Sequence, residues 1–323
     1  MSAELSLKFL TKSFLNVHST SLPAMRGSVK YQVNQIWKQL DRISESKKDE
    51  RKVTKNKGAN GHKVSQYVHG TKYKKDILQI AKELGNFAKD NFQIKDMQQI
   101  NNDVIHKFIH SKIEDGVLHD SLKGYITKLE KVYSGLSMMP KKLKSHNNMF
   151  DRSIFLKLRK DVDQFAIRSE HKNRAYVQPQ AIISHMKGVY NLAAQLQLNY
   201  GLRVTEATQI SSVQMKGSNK ILINGKGGFK RTIRVDLKLY NRINSHIKEN
   251  GTFSVKYEHY IKELRNAVEF KGEEYSGTHG LRYNYAQMKF EEYREQMPYK
   301  SALQKVSYDL GHKRAEITKY YLK

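Results

Sequence analysis

The chain has 323 residues, and its 58 Lys and Arg against 31 Asp and Glu leave a net charge of +27. A field of that size attracts polyanions through phosphate contacts and counterion release, so nucleic acid is the expected partner and an acidic membrane surface the lesser one. With no cysteine, disulfides, thiolate metal sites and a cysteine nucleophile are excluded. No run reaches the roughly 18 apolar residues of a membrane span. Lys8 and Lys12 break the apolar positions of the N-terminus, which does not read as a signal peptide.

In chain order, residues 1–45 read as mainly helical. Val29, Val33, Ile36, Leu40 and Ile43 follow one another at steps of four and three, which is one helical face. Residues 44–63, "SESKKDERKVTKNKGANGHK", have many cations, several turn formers and no apolar period, and are expected to be a flexible basic linker. Three amphipathic helices follow. One carries Tyr73, Ile77, Ile80, Leu84 and Phe87. The next carries Ile100, Val104, Phe108 and Ile109 and stops at Gly116. The third carries Leu122, Tyr125, Ile126, Leu129 and Val132 and stops at Gly135. The polar stretch from Pro140 is expected to connect to one more helix, "SIFLKLRKDVDQFAI".

A second domain is expected to begin near Asn173, with Pro179 in the first turn of a helix. Ile221 and Ile223, then Thr232, Ile233 and Val235, flank a Lys- and Gly-rich turn and predict a β-hairpin. Helical patterns resume at Leu237 and run to the end. The expected organisation is residues 1–63 as a helical segment and basic linker, 64–168 as a helical DNA-binding domain and 169–323 as a mainly α domain with a small β-element.

Four short islands carry chemistry-bearing residues: "GLRVTEA" with Arg203 and Glu206, "NGKGGFKR" with Lys226, Lys230 and Arg231, "THGLR" with His279 and Arg282, and "LGHKRAEITKYY" with His312, Tyr320 and Tyr321. Each alone has a plain reading: a surface ion pair, a solvated turn lysine, a packed tyrosine pair. Their order and spacing together resemble the tyrosine recombinase (phage integrase) family across residues 175–323. Arg203 precedes Lys226 by 23 residues, and Tyr321 follows His312 by nine.

That resemblance implies a mainly α fold in two domains, a core-binding and a catalytic one, forming a C-shaped clamp on duplex DNA. It implies site-specific strand cleavage and rejoining through a 3′-phosphotyrosyl intermediate, on double-stranded DNA with specific recombination sites. Arg203 and Arg282 would grip the phosphate, Lys226 would protonate the leaving 5′-oxygen, and His279 and His312 would exchange protons or bond the phosphate. Tyr321, nine after His312 and three after Thr318, would be the nucleophile, with Tyr320 packing. Glu206 would orient Arg203, and Lys230 and Arg231 would contact DNA. Four protomers would pair two sites, with an accessory DNA-bending protein as a candidate partner. No cofactor or metal is called for, and the islands hold no H-x-x-x-H pair. The setting would be cytoplasmic and nucleoid-associated, and residues 1–63 favour a mobile-element integrase, with that segment a candidate arm-site-binding module. A type IB topoisomerase and a non-cleaving DNA binder are the alternatives.

Three features depart from the family's pattern. Tyr283 stands where most relatives have a His. Arg282 and His312 are 30 residues apart, which places an insertion in "KFEEYREQMPYKSALQK". The sequence runs two residues past Tyr321, so coupling between protomers is expected to use other segments, such as residues 1–45.

Overall fold

The computed structural model describes residues 27–57, 62–139, 151–312 and 314–322, and the chain divides into two compact units, residues 1–169 and 170–323. No helix among the described residues is long and apolar enough to cross a membrane. The polar connector expected from Pro140 and the helical reading of residues 1–26 lie outside the described residues.

The first unit is a helical bundle: α1 (Val29–Leu40), α2 (Lys47–Val53), α3 (Thr71–Phe92), α4 (Asn102–Glu114), α5 (His119–Met138) and α6 (Ile154–Phe165). Ser28 caps α1 by accepting from the Tyr31 amide, and Val33, Ile36, Trp37 and Leu40 are buried along one face. That face packs on α3 and α5, so α1 belongs to the core of this bundle rather than to a separate N-terminal module. Gln32, buried beside it, donates to the Gly27 and Lys95 carbonyls and accepts from the Met97 amide, so its amide is fully engaged.

Two expectations change here. The basic linker contains a helix, α2, in which no residue is buried. Ser46 caps it, Asp49 and Glu50 sit in its first turn and Arg51 and Lys52 in its last, matching the helix dipole at both ends. Gly135, expected to stop a helix, lies inside α5. A Cβ there would stand 2.7 Å from Ile36 Cγ2, so glycine lets α1 and α5 approach closely.

The second unit is helical with two small antiparallel sheets. Its elements are α7 (Pro179–His185), α8 (Gly188–Tyr200), α9 (Val204–Ala207), β1 (Gln209–Ser211), β2 (Lys220–Asn224), β3 (Lys230–Arg234), α10 (Leu237–Asn250), β4 (Thr252–Ser254), α11 (Tyr257–Phe270), α12 (His279–Arg294) and α13 (Tyr299–Asp309). The hairpin pairs Ile221 with Ile233 and Ile223 with Arg231. The second sheet, β1 with β4, pairs Ile210 with Phe253, and both side chains are buried. The segment expected to hold the insertion, residues 289–305, lies where two helices meet. Its ends belong to α12 and α13, and only residues 295–298 lie between them. The chain ends in a 3-10 segment, Ala315–Tyr321, not an α-helix.

Candidate active site

The site grows from two glycine-bearing turns whose three carbonyls hold arginines. Gly201 ends α8 at φ +62°, and a Cβ there would lie 2.4 Å from Tyr285. Its carbonyl accepts from Arg282 Nη1. Gly311 follows α13 at φ +66°, and a Cβ there would lie 2.7 Å from Arg231 Nη1. On either side of that turn, the Leu310 carbonyl accepts from Arg282 Nη2 at 2.5 Å, and the Gly311 carbonyl lies 3.5 Å from Arg203 Nη2. The strings "GLR" and "LGH", more than a hundred residues apart in the chain, are therefore backbone sockets for guanidiniums.

One carboxylate serves two of the cations. Arg203 Nη1 bonds Glu206 Oε1 at 2.7 Å and Arg231 Nη2 bonds Oε2 at 2.9 Å. Burial pulls Glu206 upward, but the hydrogen bond and charge of Arg231, with backbone and side-chain hydrogen bonds from Arg203, hold its pKa below the usual carboxylate range. Arg282 is fully buried. Burial, opposed by Tyr321 and reinforced by Arg203, brings it down to about 10. Three guanidiniums thus gather around a single carboxylate. The Arg282 Nε and the Arg231 Nε and Nη1 have no hydrogen-bond partner among the described residues. Such a pocket is short of negative charge and has donors unspent.

His279, Arg282 and Tyr283 occupy the first turn and a half of α12 at i, i+3 and i+4, which puts them on one face. Tyr321 packs against that face. Its ring centroid is 4.6 Å from that of Tyr283, 5.4 Å from His312 and 6.5 Å from His279, and the Arg282 Cζ lies 5.7 Å from it. Gln287, farther along α12, donates to the Tyr321 carbonyl at 3.0 Å and fixes the end of the chain. In a 3-10 segment residues three apart share an edge. Thr318, fully buried, and Tyr321 do so, and Thr318 Oγ1 lies 3.2 Å from His312 Nδ1. Tyr320 faces elsewhere. It is 46% exposed, with its ring 4.6 Å from that of His171.

The protonation of His312 follows from its neighbours. Arg282 Nη2 can only donate, so His312 Nε2, 3.0 Å away, accepts, and the ring proton sits on Nδ1 facing Thr318. Burial, then Arg282, Arg203 and Arg231, push its pKa down to about 3. His279 is lowered by burial and by Arg282, Arg174 and Arg203. Both imidazoles are therefore neutral near pH 7. A phenol flanked by two neutral imidazoles and two guanidiniums can transfer its proton and attack a phosphoryl centre held by the cations.

No protein-family model matches the sequence, and no curated protein matches it. Solved structures do. The site-specific recombinase XerH, in its post-cleavage complex with palindromic difH substrate, is 16% identical, with TM-score 0.60 over 93% of this chain and 94% of its own. The lambda integrase, as a dimer bound to a COC′ core site, is 14% identical at TM-score 0.54, over 78% of this chain and 72% of its own. The Tn1549 transposon integrase, in complex with a circular intermediate DNA, is 12% identical at TM-score 0.54, over 92% and 95%. The fold is that of the tyrosine recombinases.

On this tyrosine-recombinase fold, Arg203, Glu206, His279, Arg282, His312 and Tyr321 lie together. Lys226 stands exposed in the turn between β2 and β3, next to Gly225, which lies beside Glu206, and among the described residues it forms no hydrogen bond or ion pair with the cluster. Lys230 is exposed at the start of β3. Arg231, expected to touch DNA, instead points inward. Its side chain is 2% exposed and holds Glu206. Strand alternation turns Lys230 and Arg231 to opposite faces. Sequence reading missed Gln287, which no motif marks, and Arg174. Arg174 Nε bonds the Ser276 carbonyl at 2.9 Å, and its charge reaches His279. Both lie far in sequence from the groups they serve.

Proposed function

We propose that the protein is a site-specific tyrosine recombinase that cuts and rejoins double-stranded DNA at specific recombination sites, in the service of a mobile element. The observation that carries this reading is the packing of Tyr321 against His279, Arg282 and His312, beside the Arg203–Glu206–Arg231 cluster. Arg203 and Arg282 hold the non-bridging oxygens of one phosphate, where negative charge grows in the transition state. The Tyr321 hydroxyl attacks phosphorus, and its proton passes to the neutral imidazole of His279, while His312, with both ring nitrogens engaged, orients Arg282. The P–O5′ bond breaks, leaving a 3′-phosphotyrosyl link. The departing 5′-oxygen takes a proton from Lys226, whose exposed turn moves onto the DNA. Attack by a 5′-hydroxyl of the partner strand reverses these steps, so rejoining needs no nucleotide cofactor. The DNA-bound complexes of XerH, lambda integrase and the Tn1549 integrase support duplex DNA as the partner. A tetramer pairs two sites, and Lys230 contributes a phosphate contact.

The test uses a duplex selected from random DNA for tight binding, nicked in turn at each position of the bound strand. One nick position should trap a protein–DNA adduct that survives denaturation. Tyr321→Phe should lose the adduct and keep duplex binding. An adduct formed by Tyr321→Phe overturns the assignment. Relaxation of plasmid lacking the selected site, without strand exchange, would point to a topoisomerase.

A further inference from the structure

A second cluster of metal-ligating side chains lies in the first unit, outside the chemistry described above. His106 and His110 stand one turn apart on α4. This H-x-x-x-H pair lies outside the four islands. At i and i+4 the two rings share one face of the helix, and they stack with centroids 4.2 Å apart. From the neighbouring α6, Asp161 brings Oδ2 to 3.2 Å from His106 Nε2 and 3.3 Å from His110 Nε2. The three side chains are 28, 30 and 15% exposed, so the group is sheltered but open to solvent on one side. Phe165 flanks His110. Lys157, one turn before Asp161, is the neighbouring cation, and it is exposed and free to turn outward.

The three ligand atoms lie within 4.8 Å of one another, and two of their three spacings fit a metal ion directly. With bonds of about 2.0–2.1 Å, two ligands of a tetrahedral ion stand ~3.3 Å apart. The two gaps from nitrogen to oxygen already have that length. Two imidazoles and one carboxylate, with no thiolate, suit a borderline ion such as Zn2+ better than Mg2+ or Ca2+, which take oxygen ligands. We propose that His106, His110 and Asp161 form a three-ligand site for a zinc-type divalent metal that staples α4 to α6, with its fourth position open to water. The bound ion stabilises the bundle, because the folded chain brings the three ligands together and the unfolded chain does not.

The experiment uses the full chain without a polyhistidine tag, stripped of metal. Co2+ is added, the visible d–d absorption of tetrahedral cobalt is followed, and Zn2+ is then used to compete it away. One equivalent of cobalt should give the tetrahedral spectrum, one equivalent of zinc should remove it, and zinc should raise the melting temperature. Asp161→Asn keeps the shape and a hydrogen-bond acceptor, so a pair of imidazoles that merely shared a hydrogen bond would remain satisfied. Asp161→Asn and His110→Ala should each weaken metal binding at least ~10–100-fold, the range over which even outer-shell partners act. Far-UV circular dichroism checks that each variant is folded. No tetrahedral band at one equivalent in the wild-type chain, or a band that survives either substitution, overturns the proposal.

Discussion

Arg282 donates from Nη2 to His312 Nε2 across 3.0 Å, so the histidine is held neutral by a cation that cannot give up its charge. The pKa of His312 in the fold is about 3, against the ordinary 6.5 of an unfolded chain. Between those values the unfolded chain binds a proton that the folded chain refuses. This contribution to stability is therefore full above about pH 6.5 and declines as the pH falls toward 3. Urea unfolding of the second unit should show that decline, and His312→Asn should flatten it. His279, lowered in the same direction, leaves a residual slope.

Glu206 sits between Arg203 and Arg231, with side-chain exposures of 3% for Glu206 and 2% for Arg231. Glu206→Gln leaves buried positive charge without its counterion and should cost about 3–5 kcal/mol. Arg231→Met in the same background should restore part of that loss, because it removes one stranded charge. A double-mutant cycle by chemical denaturation measures this coupling. Two additive losses would show that the pair acts separately.

Gly135→Ala should destabilise the first unit by about 1–3 kcal/mol, because the new methyl meets Ile36 at 2.7 Å. Ile36→Val should relieve part of the clash in combination, although alone it costs about 0.5–1.5 kcal/mol. Strand cleavage at saturating protein should be unchanged, since neither residue belongs to the cluster around Tyr321.

Gln287 holds the Tyr321 carbonyl at 3.0 Å. Gln287→Ala frees the last turn while leaving Arg203, Arg282 and both histidines in place. The adduct-forming rate should fall by about 10–100-fold through misplacement of the phenol. Duplex affinity, measured by fluorescence anisotropy, should stay within about twofold, since a single rim contact contributes little to a charge-dominated interface.

Features that backbone geometry forces were legible in the sequence. The strings "GLR" and "LGH" are legible through the resemblance to the family, and the fold supplies their backbone reason: Gly201 and Gly311 adopt positive φ where a Cβ would collide with Tyr285 or Arg231. The amphipathic faces of α1, α3, α4 and α5 were equally plain, because burial imposes the helical period. The helix α2 was not. None of its residues is buried, and it is marked by its cap and end charges, which an apolar pattern does not register. Gly135 was misread because glycine both ends helices and lets them touch, and Ile36 lies 99 residues earlier. Strands β1 and β4 have three residues each, too few to show alternation, and they meet only through the fold. Arg231 looked like Lys230 as a cation of the hairpin, and its inward face became visible only with the pairing register.

The most direct measurement is to map the DNA-linked residue by mass spectrometry. Trypsin cutting after Lys319 releases the peptide Tyr320-Tyr321-Leu322-Lys323, so fragmentation of an adduct digested with nuclease separates the two phenols. The nucleotide remnant should lie on Tyr321, the ring packed against His279, Tyr283 and His312. A remnant on Tyr320 or on any other residue would contradict the account, as would the absence of an adduct on every nicked duplex that the protein binds.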